Sequence, residues 1–369
     1  MGKITIESTG SLFIDTIILN GLFEFLYRAD PLLKLKARIG GRPLADFYIR
    51  EERINYIANV LKDIVESADI ESRLGKIPIN KGGTKNVPAS TDLKNLMEKV
   101  CEKLSYKEGI LEWIEQQITL RKTGDKSLSL LPMSIAPIYG KGLRRWNAFS
   151  TGHSMRASDL LVILYYIGFA YYCIFERVEN TRIHLLVSPR SGVDICEEDL
   201  FIVRRIASQI YGEEGRRLSR LFIYFPSQTI PLLTLSILDL SSFLLLNPPD
   251  FIYWVLQREE GGGEAVREFK IIRTSPIINF FNELCEFTYE FKRFLCEVSF
   301  LAFNDNFRSR IIDIILHISR AINYKDPESL NLAIHNVNKL NKELPEDKKL
   351  YLPRDEVFSY ATYILSKRL

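Results

Sequence analysis

Apolar and polar positions alternate along this chain at two distinct periods. Residues 3–7 (Lys3, Ile4, Thr5, Ile6, Glu7) repeat every second position, which predicts a short half-buried strand stopped by Ser8-Thr9-Gly10. Residues 12–27 switch to helical spacing, with Ile14, Ile17, Ile18, Gly21, Leu22, Phe25 and Leu26 on the apolar side and Asp30-Pro31 as the stop. The helical period returns over 51–68. A loop rich in Gly, Pro and Lys covers 75–90 and ends in Ser90-Thr91-Asp92, a cap for a helix through Leu93, Leu96, Met97 and Val100. Residues 122–152 read as a long irregular connection, followed by a helix over 158–176. Strands are expected at 182–188, 220–225, 251–257 and 266–273, the last two flanking Glu259-Glu260-Gly261-Gly262-Gly263 as a hairpin. From Pro276 the period is helical throughout, predicting helices over 276–303, 306–323, 327–343 and 354–367.

This order predicts an α+β, predominantly helical fold: a mixed or antiparallel sheet body with basic loops over 1–275, then a C-terminal helical bundle over 276–369. At 369 residues the chain is longer than one core usually sustains, and 46% hydrophobic with 26% charged residues describes a folded globular protein. Two apolar runs need weighing against a bilayer. Residues 160–175 number only 16 and include four tyrosines, and 227–249 contains Pro231 and Asp239. Both read as buried core helices, so no membrane partner is expected. Five cysteines (Cys101, Cys173, Cys196, Cys285, Cys296) without a close CxxC pair predict a reducing, cytoplasmic setting with no disulfide framework and no zinc ribbon.

Charge changes the picture more than composition does. The net charge is only +3, but segment 32–50 carries Lys34, Lys36, Arg38, Arg42 and Arg50 against Asp46 alone. Segment 76–90 has Lys76, Lys81 and Lys85 with no acid, and 138–158 has Lys141, Arg144, Arg145 and Arg156 with no acid. Positive potential therefore concentrates in three short stretches, while 276–369 balances thirteen basic against thirteen acidic residues. That neutral end is a candidate partner-docking bundle.

Catalytic constellations are thin. His153, His184, His317 and His335 sit in no HExxH or HxH pattern, no GxxxxGK[ST] loop exists, and no GxSxG elbow appears. His184 in a strand pattern and His317 in an apolar helix read as core histidines, and Asp15, Asp194 and Asp313 are scattered carboxylates. No enzyme, metal or cofactor is expected. Nucleic acid fits better: 138–153 mixes Lys141, Arg144, Arg145, Trp146, Phe149 and His153 with glycines, a set suited to phosphate neutralisation and base stacking. Lys81, Lys85 and Asn86 on the earlier loop suit phosphate or base-edge contacts, with an ordinary solvated loop as the competing reading. Arg267, Lys270 and Arg273 alternate faces on one strand, and Phe280, Phe281, Phe287, Phe291 and Phe294 form an aromatic stripe suited to a core or a subunit interface.

Ser8-Thr9-Gly10-Ser11-Leu12-Phe13-Ile14-Asp15 ahead of an apolar helix resembles the Thr-Gly-x-Pro-Phe-x-Asp opening of CRISPR interference large subunits, with Leu12 in place of the common proline. With Leu130-Leu131-Pro132 before the Gly/Arg/Trp stretch, the chain resembles the archaeal type I-A large subunit (Csa-type) of Cascade, over roughly residues 4 to 280. The metal-binding cysteines of some relatives are absent. The resemblance implies a non-catalytic subunit of an antiviral, RNA-guided complex that checks the protospacer-adjacent motif, helps open the duplex, and offers a surface to a nuclease-helicase. Its partners would be guide RNA, target DNA and other Cascade subunits. On that basis Lys81, Lys85 and Asn86 are assigned to target duplex, Arg144, Arg145, Trp146 and His153 to guide RNA or displaced strand, and Lys141 and Arg156 to nucleic acid without a choice of strand. Two alternatives stay open: a scaffold binding only proteins, and a hydrolase or transferase with a Cys or Ser nucleophile near His153 or His184.

Overall fold

A computed structural model describes residues 1–8, 11–75, 77–79, 87–104, 109–118, 120–121, 129–130, 156–238, 248–258, 264–345 and 349–367. The chain forms two compact units. Unit 1 comprises Met1–Phe175, Asn180–Ala207 and Trp254–Phe269, and unit 2 comprises Glu176–Glu179, Ser208–Tyr253 and Lys270–Leu369. The fold is α+β and predominantly helical, as the periodicity predicts.

Unit 1 opens with strand β1 (Gly2–Ile6) and helix α1 (Leu12–Ala29), then strands β2 (Lys34–Ala37) and β3 (Ala45–Ile49). The three strands form an antiparallel sheet in the order β1-β3-β2. Ser11 caps α1 by accepting from the Ile14 amide at 3.4 Å, and the Ser8 hydroxyl donates to buried Asp15 at 2.6 Å. Ser8, Ser11 and Asp15 thus hold the entry into α1.

Helix α1 and the helix Asp159–Tyr172 are apolar nearly all round and are buried as such. They cross backbone to backbone. A Cβ on Gly21 would run into the Leu164 carbonyl, and one on Gly168 into the Ile17 carbonyl, each also meeting the other glycine's amide nitrogen at 3.0 Å. Helices Ile57–Glu66 and Ala89–Leu104 pack around this pair. Inside it, the Tyr166 hydroxyl donates to the buried Asp92 carboxylate at 2.8 Å. A four-stranded sheet runs in the order Glu264–Arg273, Asp250–Arg258, Thr181–Ser188, Cys173–Val178. A small three-stranded sheet pairs Arg156–Ala157 with both Leu120–Arg121 and Ser129–Leu130.

In unit 2 the long helix Asp305–Tyr324 ends where Lys325 adopts a left-handed φ of 52°. Asp326 then caps Pro327–Glu343 by accepting from the Glu328 and Ser329 amides at 3.1 and 3.3 Å. Phe280, Phe281, Phe291, Phe294 and Phe358 pack in mutual ring contact, so most of the aromatic stripe is core, with Phe287 half-buried.

Several expected elements are corrected. Residues 51–68 form not one helix but two, Glu51–Ile54 and Ile57–Glu66, separated by a turn in which the Tyr56 amide bonds to the Arg53 carbonyl at 3.1 Å; Ser67 then ends the second by donating to the Ile64 carbonyl and caps Ala68–Leu74. The helix expected over 158–176 stops at Tyr172, where Cys173 takes extended backbone and joins the sheet. Residues 220–225 are not a strand; they are turns closing the helix Glu213–Ser219, with the Leu221 amide bonded to the Leu218 carbonyl at 2.9 Å. The helix over 276–303 breaks at Cys285, whose φ of 51° separates Ser275–Leu284 from Thr288–Leu301. Of the apolar run 227–249, Ser227–Thr229 and Ile230–Ser236 are short helical turns and residues 239–247 lie outside the described set. Among the described residues no helix is long and apolar enough to cross a membrane.

The glycine crossing yields the first prediction. Gly168→Ala forces a methyl into a backbone, and overpacking of that kind costs about 1–3 kcal/mol or more. Thermal unfolding of the variant should show a Tm lowered by several degrees, and an unchanged Tm would contradict the crossing.

Candidate nucleic-acid interface

Within the basic segment 32–50, Lys34, Lys36, Arg38 and Arg42 are exposed. Strand β2 alternates exposed Lys34 and Lys36 with buried Leu35 and Ala37, and Arg38 continues the exposed row. The register places Lys34 opposite Tyr48 and Lys36 opposite Asp46 on β3, while β1 sets Lys3 opposite the same Tyr48 and Thr5 opposite the same Asp46. Directly opposed residues of an antiparallel sheet share a face, so Lys3, Thr5, Lys34, Lys36, Asp46 and Tyr48 form one outward surface. Ile4, Ile6, Leu35, Phe47 and Ile49 line the buried side.

The carboxylates at this surface are already committed: Glu115 accepts from the Thr5 amide at 3.0 Å, Asp194 lies 3.8 Å from Arg38, and Asp46 holds two partners of its own. Asp46 takes the Lys3 ammonium at 3.1 Å and the Thr5 hydroxyl at 2.8 Å. The hydrogen bond to Asp46 holds Lys3 above its ordinary pKa, and its ammonium also lies 5.8 Å from the Tyr48 ring centre. Lys34 and Lys36 form no ion pair among the described residues, so their charge faces outward. Beyond them a tight turn, closed by the Gly41 amide on the Arg38 carbonyl at 2.8 Å with Gly40 at φ 83°, presents exposed Arg42. Arg38 donates to the Gly192 carbonyl at 3.1 Å, which fixes its position beside β2.

A buried ion pair anchors the frame beneath. Asp30, at the end of α1, accepts from the Arg50 amide at 2.9 Å and from its guanidinium at 2.9 and 2.7 Å. Burial pushes the Asp30 carboxyl up, but the Arg50 hydrogen bonds outweigh it and hold the group below the ordinary carboxylate value. The end of β3 is thereby locked to the end of α1, one link from the start of β2.

The other predicted site residues are placed as follows. Lys81, Lys85, Asn86, Lys141, Arg144, Arg145, Trp146 and His153 lie outside the described residues. Arg156 begins a strand paired with Arg121 and Leu130. On the four-stranded sheet Arg267 and Lys270 are exposed on opposite faces of their strand, and the Lys270 ammonium donates to Ser227 at 2.7 Å.

His184 is a core residue. It is buried, stacks on Trp254 with ring centres 4.6 Å apart, and its Nδ1 has no hydrogen-bond partner. Burial lowers its pKa to about 3. Burial raises the Cys173 thiol well above its ordinary value, and burial leads the shifts of Cys196 and Cys296 up to about 11, opposite to an activated nucleophile. A cavity of about 250 Å³ in unit 2, lined by Ile271, Ile277, Arg273, Ser319, Asn323 and Tyr324 among others, has no histidine, cysteine or carboxylate in its wall. Its Ser319 hydroxyl is spent on the Gln228 carbonyl at 3.0 Å. No metal-binding group of three His, Cys, Asp or Glu occurs among the described residues.

The sequence profile of the CRISPR-associated protein (Cas_Csa4) family matches residues 7–351. The chain belongs to that CRISPR-associated family. No curated protein matches it. Within this CRISPR-associated chain, the matched region takes in β2, β3 and all three basic segments.

Sequence reasoning flagged the charge of 32–50 but did not assign Lys34, Lys36 or Tyr48 to a site. The period-two alternation of Lys34-Leu35-Lys36-Ala37 was the available signal. Tyr48 carried none, because only the register sets it between Lys3 and Lys34.

The buried imidazole gives a pH prediction. Unfolding frees His184 to titrate near 6.5 while the folded form stays neutral down to about 3. Stability from this residue is therefore complete above pH 6.5 and falls on acidification through that window, by up to about 1.4 kcal/mol per pH unit. His184→Phe should flatten the pH dependence of Tm between pH 6.5 and 4; an unaltered slope would place the acid sensitivity elsewhere.

Proposed function

We propose that this CRISPR-associated protein is the non-catalytic large subunit of an archaeal type I-A RNA-guided surveillance complex, holding guide RNA and target DNA. The reading extends to checking the protospacer-adjacent motif and recruiting the nuclease-helicase. Family membership supports the setting, and the outward sheet surface with Lys34, Lys36 and Tyr48 is the observation that carries the nucleic-acid role. Ammonium groups on a rigid sheet neutralise phosphates without sequence preference, and the Tyr48 ring between Lys3 and Lys34 supplies an aromatic face. In an RNA-guided machine, guide pairing reads the long sequence, so the protein subunit needs only backbone affinity plus a short readout. Lys81, Lys85 and Asn86 with Lys141, Arg144, Arg145, Trp146, His153 and Arg156 supply further contacts in this reading.

The test measures binding of the assembled complex to target duplex across salt. Lys34→Ala with Lys36→Ala should weaken binding and reduce the slope of log K against log salt by about 2, one per lost phosphate contact. The Arg144→Ala, Arg145→Ala pair should act in the same direction. If both pairs leave affinity and slope at wild-type values, and guide RNA does not co-purify with the protein, the reading fails.

A further inference from the structure

Helix α1 carries, besides Asp15 at its start and Arg28 at its end, a polar stripe of Thr16, Asn20 and Glu24 at four-residue spacing, all three buried. Each meets a partner from another element. Thr16 lies 3.4 Å from the Ser188 hydroxyl, and Asn20 donates to the Val187 carbonyl at 3.1 Å. Glu24, wholly buried, receives two guanidiniums. Arg204, on the helix Glu197–Ile210, forks onto it at 2.6 and 3.2 Å, and Arg28, one turn along α1, reaches it at 2.7 Å.

One forked arginine satisfies a buried carboxylate. The second leaves the cluster with an excess positive charge. Both arginine side chains are about a third exposed, at 31% for Arg28 and 33% for Arg204, while Glu24 holds each guanidinium from within and the Tyr171 hydroxyl also bonds Arg28. Rings fix their planes: Arg28 lies 4.9 Å from the Tyr171 centre, Arg73 lies 5.1 Å from the same ring, and Arg204 lies 5.7 Å from Tyr27. Tyr27 in turn leans on Phe201, which is 43% exposed. Two arginines meeting on one carboxylate oxygen, with an exposed aromatic at their side, match a phosphate flanked by an unstacked base.

We propose that Arg28 and Arg204, positioned by Glu24, form a phosphate-binding site for single-stranded nucleic acid, with Phe201 as its stacking face. This site is separate from the β1-β3-β2 surface, and the proposal rests on the nucleic-acid reading above. Glu24 acts here through the arginines as a positioning residue.

The experiment follows the anisotropy of a fluorescein-labelled oligodeoxythymidine titrated with the full-length chain across salt. Arg28→Gln and Arg204→Gln should each weaken binding about three- to tenfold and lower the salt slope by about 0.7. Arg28→Lys should keep the slope but recover little affinity, since an ammonium cannot reproduce the fork. Glu24→Gln distinguishes positioning from simple neutralisation: removing a negative charge should tighten binding, whereas loss of the clamp should weaken it. Phe201→Ser, a surface change that keeps the fold if Glu24→Gln does not, should weaken binding with an unaltered salt slope. Wild-type affinity and slope in both Gln variants, tighter binding by a folded Glu24→Gln, or no binding by the wild-type chain overturns the proposal. Because the sheet surface is tested with duplex in the assembled complex, the two assignments fail separately.

Discussion

Unit 1 depends on the contact of two backbones at Gly21 and Gly168. Two helices that are apolar nearly all round are buried together, and the absence of a Cβ at Gly21 and Gly168 lets their backbones touch. Once α1 is pinned there, its ends are fixed in space. Its N-terminus is set against the end of β1 through Ser8, Ser11 and Asp15, and its C-terminus carries Asp30, whose bonds to Arg50 hold the far end of β3. The outward sheet surface and the arginine cluster both hang from this one helix.

Polar groups in such an interior are costly unless paired, and α1 shows how the cost is met. Thr16, Asn20 and Glu24 recur once per turn and each finds a partner from a strand or helix remote in sequence. These bonds set the rotation of α1 about its axis, which apolar packing alone leaves loose. Glu24 draws two cations where one would balance it, and that surplus converts a core contact into a surface with positive charge.

Much of the fold was legible in the residue pattern. The strand at the N-terminus, α1, and the helices Asp305–Tyr324, Pro327–Glu343 and Asp355–Ser366 follow directly from period, caps and prolines. Two segments depart from that pattern for different reasons. Residues 173–175 continue an apolar run, and only sheet pairing pulls Cys173 out of helical backbone; 220–225 has strand composition, but Leu221 bonds back to Leu218. In the first, sheet pairing overrode the local preference; in the second, turn hydrogen bonds at the helix end did.

For the site, the sequence by itself determined that positive charge gathers in three short stretches and that 34–37 alternates faces, because charge counts and period two are local properties. Only the tertiary structure decided that Lys3, Lys34 and Tyr48 stand in one row and that Glu24 gathers Arg28 and Arg204. Register and helix crossing join residues far apart in the chain, and no spacing within one segment encodes which distant side chain will stand opposite.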